Sequence, residues 1–291
     1  MGSSRSVARC RSPRQLSAPR WRVRSPPANS PTKALKPIIV ELFDANYRVY
    51  GRRKIKAGLR REHGLVVDKD RIARLMCELG IRGATRSKTT ITTRPDRSSP
   101  RAPDLVNRRF RADRPNELWV SDFTYVATWS GFVFTAFVVD VHSRTIVGWR
   151  TASSMTTALV MDALEMAVFS RRLQLINGVI AHSDAGSQYV SVAYTERLAE
   201  IGARPSIGSI GDSYDNSLAE SVNGLYKTEL IRRQGPWHNV EHVELATLGW
   251  VEWFNNRRLH SELGDIPPAE FEALYYARTR AQAKVQTPTR T

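Results

Sequence analysis

Two periodicities divide this chain. Between Thr32 and about Gly83 the apolar positions fall at helical spacing, in KPIIVELFDANYRVYG, RRKIKAGLRREHG and DKDRIARLMCELGIRG. Ile55 and Leu59 line one face of the second stretch, which Gly64 stops; Ile72, Leu75 and Met76 line the third, which Asp68 or Asp70 caps. From Asn116 the pattern turns to strands, β-branched and aromatic-rich over 118–127, 131–141 and 145–150, with a turn at Trp129-Ser130-Gly131. These predict an antiparallel meander. A helix over about 155–172, a strand over 177–182, a helix over about 191–201 and a short strand near 204–206 follow, then a helix around Glu220 and another over about 240–256. Three strands followed by alternating helices and strands predict an α/β fold with a mixed sheet.

The flanks carry no such pattern. Residues 1–31 read as a disordered basic tail, 84–115 as a basic linker rich in Arg, Ser, Thr and Pro, and 276–291 as a flexible C-terminal tail. That leaves a helical unit over 32–83 and a larger α/β unit over 116–275. Short helices joined by tight turns, the last one basic, fit a helix-turn-helix unit whose final helix enters a DNA major groove. Arg71 and Arg74 fall on or near its outward face; the plain alternative is a small helical bundle with a solvated basic face.

Charge sharpens this division. Of 44 lysines and arginines, 29 precede residue 117, against 9 of the 28 acids, so the net +16 arises entirely in the first part and the α/β unit is slightly acidic. Such asymmetry favours a polyanion partner, and nucleic acid leads. No apolar run approaches the ~18 residues of a membrane span, and the N-terminus has no apolar signal core. Two cysteines, Cys10 and Cys77, are too few for a metal cluster and suit a reducing cytoplasm, with association to the nucleoid expected of a DNA-binding protein.

The chemistry rests on three acids: Asp122 inside the apolar run LWVSDFTYV, Asp184 after GVIAHSD begins as a strand, and Glu220 in the helix SYDNSLAESVNGLYKTEL. A carboxylate in or beside an apolar strand is costly unless a charge compensates it, and divalent cations with a preference for hard oxygen ligands do so. Three carboxylates converging at one sheet edge point to two-metal phosphoryl transfer.

The segments LWVSDFTYV, FVVDVHSRTIVGW, HSDAGSQY, YDNSLAESVNGLYKTEL and WFNNRRLHSELGDIPPAEF resemble the integrase-core motifs of bacterial insertion-sequence transposases. The likeness is closest to second-reading-frame products with a retrovirus-like D,D-35-E catalytic domain, and thirty-five residues do separate Asp184 from Glu220. YGRRKIKAGLRREHG and RIARLMCELGIRG resemble the helix-turn-helix segment of that family. The resemblance spans about residues 35–273 in consistent order. It implies an RNase H-like core, two Mg²⁺ or Mn²⁺ ions held by Asp122, Asp184 and Glu220, and transposition by cleavage and joining of double-stranded DNA. It also implies terminal inverted repeats and target DNA as partners, a homo-oligomer on DNA, and a link to an upstream reading-frame product. Lys227, two helical turns after Glu220, matches a basic residue that contacts terminal DNA in the wider superfamily.

Other residues weigh less. His182, two positions before Asp184, is expected to orient it or to touch DNA, with a satisfied strand-end histidine about as good a reading. Asp140 reads as structural, and Asp215 or Asn216 as a helix cap. Arg257, Arg258 and His260 follow the core aromatics Trp250, Trp253 and Phe254 and are candidate phosphate contacts. Two rival readings stay open: a catalytically idle DNA-binding regulator derived from a transposase, and a nuclease of the same fold.

Overall fold

The computed structural model describes residues 32–85, 104–106, 111–172, 174, 176–184, 186–208 and 216–286. The expected basic tail and most of the expected linker lie outside the described residues, as does Asp215.

Three helices come first: α1 (Thr32–Ala45), α2 (Arg52–His63) and α3 (Lys69–Glu78). Gly64 ends α2 at φ +66°, a left-handed conformation that glycine adopts without a Cβ penalty. Asp68 caps α3 by accepting the Asp70 N–H. After these helices come β1 (Leu118–Thr128), β2 (Gly131–Asp140) and β3 (Ile146–Ala152), then α4 (Thr157–Ser170), β4 (Ile180–Ser183), α5 (Val192–Glu200) and β5 (Arg204–Ile207). The five strands form one sheet in the order β3-β2-β1-β4-β5; the first three run antiparallel, and β4 and β5 run parallel to β1 and to each other. This is an RNase H-like mixed sheet preceded by a small all-α helix-turn-helix segment.

Both faces of the sheet are covered, which is why its strands are apolar on both sides. Successive residues of β1 point into different cores. Trp119 joins Ala136, Val138 and the α4–α5 residues Leu159, Ala163 and Leu198. Val120 joins Phe137, Tyr226 and Trp250 on the opposite face. There lie α6 (Ser217–Tyr226), a π-helical turn (Lys227–Ile231), α7 (Arg232–Gln234) and α8 (Val240–Asn256).

The structure alters two expectations. The three N-terminal helices have no core of their own: Leu42, Tyr50, Ile55, Leu59 and Ile72 belong to the same hydrophobic cluster as Trp250 and Phe254. Trp253 Nε1 donates to Asn46 Oδ1 at 3.1 Å, and the Leu259 N–H donates to the Tyr50 hydroxyl at 2.8 Å. Residues 276–286, expected to belong to a flexible tail over 276–291 whose remainder lies outside the described residues, continue α9 (Pro268–Gln286). Strong helix formers fill its sequence, and Glu272 ties it to buried Arg171 while the Tyr276 hydroxyl donates to Gln174 at 3.0 Å.

Candidate active site

Asp122 sits in the part of β1 that extends past β4, since β4 pairs only with residues 118–121. Asp184 follows the last residue of β4, and Glu220 lies in the first turn of α6. The parallel β1–β4 pairing thus brings the ends of two distant segments to one edge, with α6 laid across β1. Asp122 Oδ1 accepts the Phe123 N–H at 2.8 Å, and its Oδ2 accepts from Asn223 Nδ2 at 2.8 Å. Asp184 Oδ1 accepts the Gly186 N–H at 3.1 Å. Asn216 starts α6 without capping it; its Nδ2 donates instead to the Ser121 carbonyl at 2.9 Å, pinning the start of that helix to β1.

The three acids feel one another. Burial, then the charges of Asp184 and Glu220, pushes the Asp122 carboxyl up to about 8. Glu220 is raised by desolvation and by Asp184. Asp184 is raised by burial, against the opposing pull of the Gly186 N–H and His182. Among the described residues none of the three forms an ion pair, and no group of three or more Asp, Glu, His or Cys side chains stands close enough together to hold a metal ion as placed here. Buried Tyr189, whose hydroxyl has no hydrogen-bond partner among the described residues, lies in the field of Asp122 and Asp184. The donor set suits a hard divalent cation: oxygen ligands that repel one another, with no side-chain ion pair among the described residues to neutralise them.

Lys227 is half-buried at the start of the π-helical turn, its Nζ 4.4 Å from the centre of the Tyr125 ring and within the field of Asp122. His182 is fully buried; its Nδ1 hydrogen-bonds Ser206 Oγ at 2.9 Å and stands 3.9 Å from Asp104. It lies close enough to oppose the upward shift of Asp184, and its burial leaves it no surface with which to touch DNA. Arg74 is exposed on α3 and Arg71 is partly so.

Two expected phosphate contacts are overturned. Arg258 is buried and grips Glu229 with two bonds, Nη2 to Oε1 at 2.6 Å and Nε to Oε2 at 2.9 Å. His260 is buried beside it; desolvation, then Arg258 and Lys54, lowers its pKa to about 2, so it stays neutral. Only Arg257 of that trio is exposed. The signal for this difference was Glu229 itself, an acid on the core side of the Glu220 helix. Asn223 was also missed, although its place one turn after Glu220 puts both side chains on one face.

The geometry is that of an integrase core joined to a DNA-binding helical segment, a polynucleotidyl transferase by class. The integrase core domain family matches residues 112–213, a second integrase core family matches 201–268, and the HTH-like domain family matches 31–89. The transposase for insertion sequence element IS629 of Shigella sonnei is 54% identical over 243 residues, covering 84% of this chain and 80% of that protein. The transposase for insertion sequence element IS904 of Lactococcus lactis is 34% identical over 211 residues, covering 72% and 82%. The HTLV-2 integrase catalytic core domain in complex with magnesium overlays with a TM-score of 0.45 at 17% identity, covering 56% of this chain and 99% of that one. The chain belongs to the bacterial insertion-sequence transposases, enzymes of DNA integration and recombination. No helix among the described residues is long and apolar enough to cross a membrane.

Proposed function

We propose that Asp122, Asp184 and Glu220 are the catalytic acids and that they hold two divalent ions, Mg²⁺ or Mn²⁺, for DNA cleavage and strand transfer. The observation that carries this reading is the approach of three carboxylates without an ion-pair partner, from β1, the end of β4 and the first turn of α6, with Asp122 and Glu220 raised by burial and by the charge of their neighbours. When bound, such ions activate the attacking oxygen and stabilise the leaving one in an in-line displacement at phosphorus. The chain's own residues set the stage. Asn223 fixes the direction of the Asp122 carboxylate, the Gly186 N–H fixes that of Asp184, and Asn216 holds the start of the Glu220 helix against β1. Lys227 stands where a phosphate beside the scissile bond would meet it.

In this reading α3, with Arg71 and Arg74, grips the terminal inverted repeats of the element, and the basic residues of the linker follow the backbone toward the core. Arg257 remains an exposed candidate for a phosphate contact. The unit over 32–83 serves binding and the core over 116–275 serves chemistry. Assembly as a homo-oligomer on the element ends, pairing with an upstream reading-frame product, and action at the nucleoid complete the proposal.

Asp122→Asn, Asp184→Asn and Glu220→Gln should each abolish Mn²⁺-dependent cleavage and joining of an end-containing duplex while leaving duplex binding intact. Full activity in any of the three overturns the assignment. A simple nuclease would cut without forming joined product, and an idle regulator would bind without cutting.

A further inference from the structure

We infer that the open cationic groove between residues 80–85 and the π-helical turn with α7 carries the phosphate backbone of duplex DNA away from the acidic site. This inference rests on the reading of that site as one acting on duplex DNA. The groove has a volume of about 360 Å³ and is lined by Arg82, Thr85, Thr228, Arg232 and Arg233. A second hollow of about 460 Å³ shares Arg82 and Arg233 and runs on to Tyr47 and Arg48. Both are open, a shape for a polymer and not for an enclosed small molecule.

Among the described residues no carboxylate pairs with Arg82 or Arg233. Arg233 donates to the carbonyls of Arg48 at 2.7 Å and Arg82 at 3.4 Å, which aims its guanidinium without neutralising it. Among the described residues lining the two hollows the acid is Asp44, and it pairs with Arg48 at 3.3 Å at the far end.

The mount is rigid. A Cβ on Gly83 would come within 2.6 Å of the Gly51 backbone, and the Ala84 N–H donates to the Val49 carbonyl at 2.9 Å. Arg82 is therefore held against the start of α2 by close backbone contact.

The groove and the candidate active site meet at the π-helical turn, which carries Lys227 and Thr228. Thr228 follows Lys227, and Lys227 lies in the fields of both Asp122 and Arg232. Arg82, Arg232 and Arg233 thus form one cationic patch beside that turn. A polyanion is the occupant that this charge selects.

The test measures binding of the full chain to a fluorescein-labelled duplex of unrelated sequence across a salt series. Each lost phosphate contact should lower the slope of log K against log [salt] by about 0.9, so Arg82→Gln with Arg232→Gln should lower it by about 1.8. Arg82→Lys with Arg232→Lys should restore the slope, and Arg172→Gln, an exposed cation that packs over Phe169 beyond the end of α4, should leave it unchanged. An unchanged slope in the double glutamine variant overturns the groove, as does an equal fall with Arg172→Gln. In either case metal-dependent cleavage by the wild-type chain still upholds the active-site reading. Absence of wild-type binding to any duplex overturns both.

Discussion

Asn223 holds Asp122: its Nδ2 donates to the aspartate Oδ2 at 2.8 Å from the same helix that presents Glu220. One helical turn thus carries one acid and orients another. Asn223→Ala should leave Asp122 in place but free to turn. Groups that orient a metal-binding carboxylate are worth roughly 10–100-fold in metal affinity or activity. The expected result is strand cleavage reduced by that order, a higher Mn²⁺ concentration at half-maximal rate, and duplex binding unaltered. Wild-type cleavage with an unshifted Mn²⁺ titration would remove Asn223 from the machinery.

The acids also give the metal-free protein a pH signature. Asp122 titrates at about 8 in the fold, against an ordinary 3.8, because burial and then Asp184 and Glu220 disfavour its charge. An acid with a raised native pKa binds its proton more tightly when folded, so stability declines as pH rises from about 4 to about 8. The metal-free protein should therefore melt at a lower temperature at pH 8 than at pH 5. Asp122→Asn should flatten that dependence, and Mn²⁺ should raise the melting temperature at pH 8. A flat profile for the wild-type chain in chelator would contradict the burial of charge at this site.

Arg258 and Glu229 make a buried pair between the segment after α8 and the π-helical turn. Leaving one partner alone in such a place costs about 3–5 kcal/mol, whereas replacing both with apolar groups is often close to neutral. Glu229→Gln should destabilise strongly, and Glu229→Leu combined with Arg258→Met should recover most of the loss in urea melts. If the double variant is as unstable as the single, the pair contributes net stability beyond charge compensation.

Gly148 lets α4 lie directly on β3. A Cβ there would sit 2.1 Å from the Ala163 carbonyl oxygen and 2.7 Å from the Ala167 nitrogen. Because the obstacles are backbone atoms, Gly148→Ala should cost at least the ~1–3 kcal/mol of ordinary overpacking, read as a lower urea midpoint. Unchanged stability would show that α4 can lift from the sheet at no cost.

The meander and the helix at 240–256 were legible because their periodicities are unambiguous and both sheet faces are apolar. The placement of Asp122, Asp184 and Glu220 at one edge followed from sequence context; their partners did not. Asn223 and Asn216 are polar residues on a helix, and nothing local distinguishes a side chain that reaches a strand from one that faces water. Arg258 and His260 misled for a related reason. A basic residue after an aromatic run reads as surface until Glu229, twenty-nine positions earlier, is seen to meet it. The helical unit at 32–83 was legible as helices, but its loss of independence depends on long-range packing of Tyr50 and Asn46 that no local pattern encodes.

That packing bears on how far the helical segment stands from the acids. Because α1–α3 share their interior with α8, the span from α3 to the three acids is set by side-chain packing and not by a linker alone. If α3 holds the DNA and the acids cut it, as proposed, base pairs inserted between the held sequence and the cut should shift the cut relative to the element's end.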